Sequence, residues 1–206
     1  MDSMVAAVLA EYNERHSEEF DVILPTLSAE EVLARRDDML MSIGHEAGVF
    51  LNMLVSSAGC GRILELGTSY GHSTIYLAEA AKRTGGRVVT CDHSRRKQEF
   101  AREMLTRAGL HEHVDFETGN AVDVIRGLRG GIDFCLIDLW TAAYISAFDA
   151  VHGKLADGAI VVADNIVTPN TPEAKDYRRF VRSKPDMESI LLPIGWGLEV
   201  SRRTSG

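Results

Sequence analysis

Apolar and polar positions follow two rhythms along this chain. Short apolar runs occupy residues 62–66, 87–91, 113–116, 132–137 and 159–163. They are rich in β-branched or aromatic side chains, as strands are. Between them apolar residues recur at helical spacing over 73–82, 95–108 and 142–155, with Gly109 as a C-terminal cap. Repeated strand–helix–strand units force right-handed crossovers and a mostly parallel sheet covered on both faces. Two further strands, 189–192 and 198–201, flank Pro193-Ile194-Gly195-Trp196-Gly197. The pattern predicts a doubly wound α/β fold with seven strands.

The first 58 residues carry no strand rhythm. Helices are expected over 4–16, over 28–39 with Ser28-Ala29-Glu30-Glu31 as a capping box, and over 46–57. No internal repeat, low-complexity tract or long linker divides the chain. The expectation is a single domain, 1–206, in which 1–58 form a helical cover and 59–202 the core.

Composition narrows this modestly. Hydrophobic residues make up 45% and charged residues 25%, the balance of a soluble globular protein. The formal net charge is −8, which argues against a non-specific nucleic-acid binder or a binder of anionic membranes. Cys60, Cys91 and Cys135 are widely spaced and odd in number, so buried free thiols are expected rather than a disulfide framework or zinc knuckle. The N-terminus has no basic leader region and no run reaches membrane-spanning length, so a cytoplasmic protein is expected.

The chemistry gathers at the carboxyl ends of the predicted strands. The first strand runs into Glu65-Leu66-Gly67-Thr68-Ser69-Tyr70-Gly71-His72-Ser73, where two glycines let backbone approach a ligand closely. Ser69 replaces the second glycine of the dinucleotide pattern, so a pyrophosphate is poorly served. That disfavours a nucleotide-dependent oxidoreductase. Asp92 ends the second strand, where an acid accepts hydrogen bonds from ribose hydroxyls. The alternative is a tight turn without a ligand. Gly119-Asn120-Ala121 follows the third strand and offers N–H groups and an amide to an adenine edge. Trp140 offers an aromatic face past the fourth strand; otherwise it is a core tryptophan.

Asp138 ends the fourth strand, and Asp164 and Asn165 end the fifth. Two carboxylates and an amide oxygen suit Mg²⁺, Mn²⁺ or Ca²⁺ rather than zinc. Neighbouring strand residues point to opposite faces, so Asp164 and Asn165 can share an ion only if the chain turns there. Pro169 is consistent with a turn. The alternative is a helix cap at Asp138 and an Asx turn at Asp164 and Asn165.

With those residues in hand, 38–202 resembles the cation-dependent class I S-adenosylmethionine O-methyltransferases of the catechol and caffeoyl-CoA type, whose fold is Rossmann-like. ILELGTSYGHSTIYLA is similar to that family's first motif, VVTCDHS to its second, and FCLIDLW and VVADNI to its metal-binding strand ends. Met41-Ser42-Ile43-Gly44 resembles the segment that contacts the methionine part of the cofactor. The resemblance implies a cofactor pocket of Met41, Glu65, Gly67, Ser69, Ser73, Asp92, Asn120, Ala121, Asp138 and Trp140. It implies a divalent-metal site of Asp138, Asp164 and Asn165, magnesium first. The implied reaction is methyl transfer to a small hydroxylated, catechol-like acceptor, by a homodimer.

The chain also departs from the family. A lysine usually stands three residues after the first metal aspartate and is taken as the base; here it is Thr141, which cannot take a proton near neutral pH. His72, His45 or Glu199 are candidate substitutes, Glu199 because it falls where catechol-type members place an acid beside the acceptor hydroxyl. His111 and His113 read as loop or strand-edge residues. Two other readings stay open: a tRNA hydroxyuridine O-methyltransferase, suggested by the basic cluster Arg178, Arg179, Arg182 and Lys184, and a catalytically weak cofactor-binding accessory protein, suggested by Thr141.

Overall fold

The predicted apolar runs pair into one sheet in the computed structural model, which describes residues 2–205. Its strands are β1 (Arg62–Leu66), β2 (Arg87–Asp92), β3 (Val114–Thr118), β4 (Ile132–Ile137), β5 (Leu155–Ala163), β6 (Met187–Leu192) and β7 (Leu198–Arg203). The order is β3-β2-β1-β4-β5-β7-β6, and β7 runs antiparallel to both its neighbours. The first five strands are parallel, so all their carboxyl ends share one edge.

Helices cover both faces, as a parallel sheet requires. On one side lie α3 (His45–Ala58), α4 (His72–Thr84) and α5 (Arg95–Arg107), with α1 (Ser3–Ser17) outside them. On the other lie α6 (Ala121–Gly127), α7 (Tyr144–His152) and α8 (Pro172–Arg182). Strand residues alternate between these layers: Ile63 and Phe134 face the first, Leu64 and Cys135 the second. Helix α4 is buried from His72 to Ala81 because the sheet backs it and α1, α3 and α5 pack around it.

The chain between α1 and α3 differs from the expected helix over 28–39. A π-helical turn (Glu18–Ile23) and a 3₁₀ turn (Leu24–Thr26) precede α2, which spans only Ala29–Arg35, behind the expected Ser28–Glu31 capping box. Strand β5 starts at Leu155, where a helix was expected to end. Helices α6 and α8 were not anticipated. The first is seven residues long, too short for the periodic window to register. The second had readable signals: Thr171 caps it, Pro172 starts it, and Ala174, Tyr177 and Val181 form its buried stripe. All three cysteines are buried and free. Among the described residues no helix is long and apolar enough to cross a membrane.

Candidate active site

The carboxyl ends are laced together by backbone. Gly67 and Thr68 donate to the Cys91 carbonyl (2.8 and 3.1 Å), Asp138 to Leu66 (2.9 Å), Asp164 to Ile137 (3.2 Å) and Gly119 to Asp92 (2.9 Å). Gly67 cannot be replaced in this arrangement: at φ +105°, a Cβ would sit 1.9 Å from the Asp138 carbonyl oxygen. Three non-glycine residues, among those described, have positive φ: Met41 (+45°), Ser69 (+45°) and Asn165 (+55°). Each such conformation costs about 1–3 kcal/mol and persists only where its surroundings hold it. All three are residues that the sequence assigns to the site.

On the cofactor side, Glu65 is fully buried. Its carboxylate accepts hydrogen bonds from the hydroxyls of Ser73, Thr74 and Thr90, each at 2.6 Å. Burial pushes its pKa up to about 7 against the pull of those donors. Asp92 is held by the Ser69 amide on one oxygen and the Ser94 amide on the other, both at 2.8 Å, and keeps lone pairs for a ligand. Helix α4 starts after Gly71 without a side-chain cap, so its first N–H groups face the same edge unsatisfied by the helix. The turn at Gly119–Ala121 is more than a turn: Asn120 caps α6 through Val122 N (2.9 Å). Trp140 is 57% exposed, which removes the core-tryptophan alternative.

On the metal side, the Asp138 and Asp164 carboxyls are both held well above the usual range. Burial is the main cause for each, and for Asp138 the neighbouring charges of Asp164, Glu65 and Asp92 add to it. Asp164 is 2% exposed and its Oδ1 has no hydrogen-bond partner. A buried carboxylate in that state requires a cation or a proton. The left-handed Asn165 supplies the turn that sharing an ion with Asp164 demands. Among the described residues no group of three His, Cys, Asp or Glu side chains is gathered for a metal; the set is two carboxylates and an amide. It fits a hard divalent cation with open positions.

The substitute bases fare differently. Both Glu199 oxygens are taken by Arg182 (2.6 and 3.1 Å), with Arg178 3.5 Å away. It is fully buried on the α8 side. The structure therefore ties it to α8 rather than presenting a free acid to an acceptor. His72 is 3% exposed and stacked on Tyr12 (5.1 Å), and burial pushes its pKa down to about 3. His45 pairs with the Tyr76 hydroxyl (2.9 Å). His111 and His113 lie in a 3₁₀ turn entering β3, at the opposite edge. Thr141 receives a hydrogen bond from Thr171 (3.2 Å), whose oxygen also caps α8.

Sequence reasoning missed one contributor, Glu19. It accepts the Leu40 and Met41 amides. The carbonyls of Trp196 and Gly197 accept the amides of Ile166, Val167 and Thr168 (2.9–3.0 Å), which straps the loop after Asn165. Trp196 in turn packs on Phe20 of the cover (5.2 Å). Apolar side chains stay exposed on three segments of the site: Met41 (36%), Trp140 (57%) and Val167 (45%).

A glycine loop, a ribose-type acid and a set of oxygen donors share one carboxyl edge, which is where an α/β protein of this class takes its ligand. A family model described as O-methyltransferase matches residues 14–204, and the chain belongs to that family. A catechol O-methyltransferase of Niastella koreensis is 32% identical over 145 residues, which cover 68% of this chain and 65% of that protein. The chain thus spans just under two thirds of that relative's length. A caffeoyl-CoA O-methyltransferase of Eucalyptus globulus is 24% identical over 203 residues, covering 88% and 82%. The solved structure of an O-methyltransferase from Bacillus cereus in complex with SAH is similar with a TM-score of 0.74 and 26% identity, over 95% of this chain and all of that one.

Proposed function

We propose that this protein is an S-adenosylmethionine-dependent, divalent-cation-assisted O-methyltransferase acting on a small acceptor with vicinal oxygens. The observation that carries the reading is the Asp138–Asp164 pair, with the buried, partnerless Oδ1 of Asp164, at the same edge as the Gly67 loop and Asp92. S-adenosylmethionine supplies the methyl group as a sulfonium. Asp92, fixed by two amides, accepts its ribose hydroxyls, and the open N-terminus of α4 meets its carboxylate. Asp138, Asp164 and Asn165 would hold the cation, whose charge lowers the pKa of an acceptor hydroxyl. Met41, Trp140 and Val167 present an apolar rim that favours a flat acceptor and excludes water. Orienting nucleophile and methyl donor together supplies up to roughly 7–11 kcal/mol in favourable model reactions.

One observation favours a second reading, that of a cofactor-binding protein with little catalysis. The Thr141 hydroxyl is engaged with Thr171, and no titratable side chain stands at that position. The tRNA reading is less favoured: Arg178 and Arg182 share Glu199, Arg179 pairs with Asp176 and Lys184 with Asp149, so three carboxylates offset all but one of the cluster's four charges. Titrating the protein with SAH and then assaying methyl transfer to catechol-like acceptors with Mg²⁺ separates the readings. Binding with turnover is expected; binding without turnover across the panel supports the accessory protein, and no binding refutes both.

A further inference from the structure

Glu19 lies outside every motif in the chain, on the π-helical turn between α1 and the rest of the cover. It is nevertheless 4% exposed, and neither oxygen faces solvent alone. Oε2 accepts the Leu40 amide at 2.6 Å and Oε1 the Met41 amide at 2.7 Å. Met41 is one of the three left-handed non-glycine residues, so the carboxylate grips the strained peptide. The grip extends further. The Leu40 carbonyl accepts from the Ser69 hydroxyl at 3.3 Å, and the Ser69 amide donates to Asp92 at 2.8 Å. An unbroken chain of hydrogen bonds therefore runs from the cover through Leu40 and Ser69 to the acid assigned to the ribose.

Other groups fix the carbonyls of this segment. Arg96 and Tyr70 hold that of Asp37 (2.6 and 2.9 Å), and Lys97 that of Arg36 (3.2 Å). Among the described residues, Glu19 alone supplies acceptors to the two amides at its end. Leu40 is 1% exposed, so its N–H has no water to fall back on.

We infer that Glu19 is a positioning residue of the cofactor site: by accepting both amides it holds Met41 and, through Leu40, Ser69 in the geometry that sets affinity for the adenosyl ligand. The inference rests on the cofactor reading above. A glutamine there would turn an NH₂ group toward one of the two amides, donor against donor, and leave a buried N–H unsatisfied. Glu19→Gln is expected to raise the Kd for SAH at least tenfold at 15 °C. It should raise the KM for S-adenosylmethionine in parallel and leave kcat at saturating cofactor within threefold. The exposed neighbour, as Glu18→Gln, makes the same charge change and should leave Kd unaltered. A purely structural role would lower the melting temperature of Glu19→Gln without moving the Kd of the folded protein, and that result overturns the inference. Should the variant not fold, amide exchange in the unmodified chain decides: SAH must slow exchange at Leu40 and Met41, and unchanged exchange refutes the proposal. Absence of SAH binding by the unmodified chain is a distinct outcome, which removes the cofactor reading and this inference together.

Discussion

The His72 ring is stacked on Tyr12 and tilted against Tyr76 at 5.3 Å, and neither of its nitrogens has a partner. Burial, with His16 and His45 nearby, pushes its pKa down to about 3. In the unfolded chain it titrates at about 6.5. Between those values the unfolded state binds a proton that the folded state refuses, so this residue removes stability as pH falls below about 6.5. The local slope is about 1.4 kcal/mol per pH unit until about pH 3. His72→Phe keeps the stacking and removes two unsatisfied nitrogens. Chemical denaturation from pH 7 to pH 4 should show a shallower loss of stability in the variant than in the parent. Parallel curves would refute this account. Methyl transfer should persist in the variant, because a ring so placed is packing and not a base. Glu65 has the opposite sign: its pKa is raised to about 7, so below that pH the folded state holds a proton that the unfolded chain releases down to about 4.5.

At the scale of elements, α8 shows what an unforeseen helix does to an assigned residue. Its stripe of Ala174, Tyr177 and Val181 packs on the sheet, and this leaves Arg178 and Arg182 to reach over the edge to Glu199 on β7. A resemblance in one strand could not reveal that pairing, because the arginines belong to another element. Glu199→Ala should destabilise the fold by about 2 kcal/mol. That is less than the roughly 3–5 kcal/mol for breaking fully buried pairs, because Arg182 is 42% exposed and rehydrates. The acceptor KM should stay within twofold, and a large rise would return Glu199 to the acceptor site. Strand ends were legible for a simple reason: β1, β2, β4 and β5 are apolar runs that stop at a charged or glycine residue, and topology makes those stops neighbours. Glu19 was not legible, since it acts through backbone amides 21 and 22 residues away and leaves no pattern of side chains.

Across the whole molecule, the left-handed non-glycine residues among those described collect at one edge. Met41, Ser69 and Asn165 are left-handed there, and Asp164 keeps a buried oxygen without a partner. The cover closes that edge from outside through Glu19 and through Phe20 on Trp196. Acid groups at that edge favour a cation locally, while the net charge of −8 is spread over the rest of the surface. The most direct test is release of SAH from S-adenosylmethionine with a catechol acceptor, for the unmodified chain and Asp164→Ala, with Mg²⁺ and after EDTA. The account predicts turnover with Mg²⁺, its loss in EDTA with recovery on adding Mg²⁺, and at least a hundredfold loss in Asp164→Ala with SAH binding retained. Full activity in EDTA, or in Asp164→Ala, would contradict it.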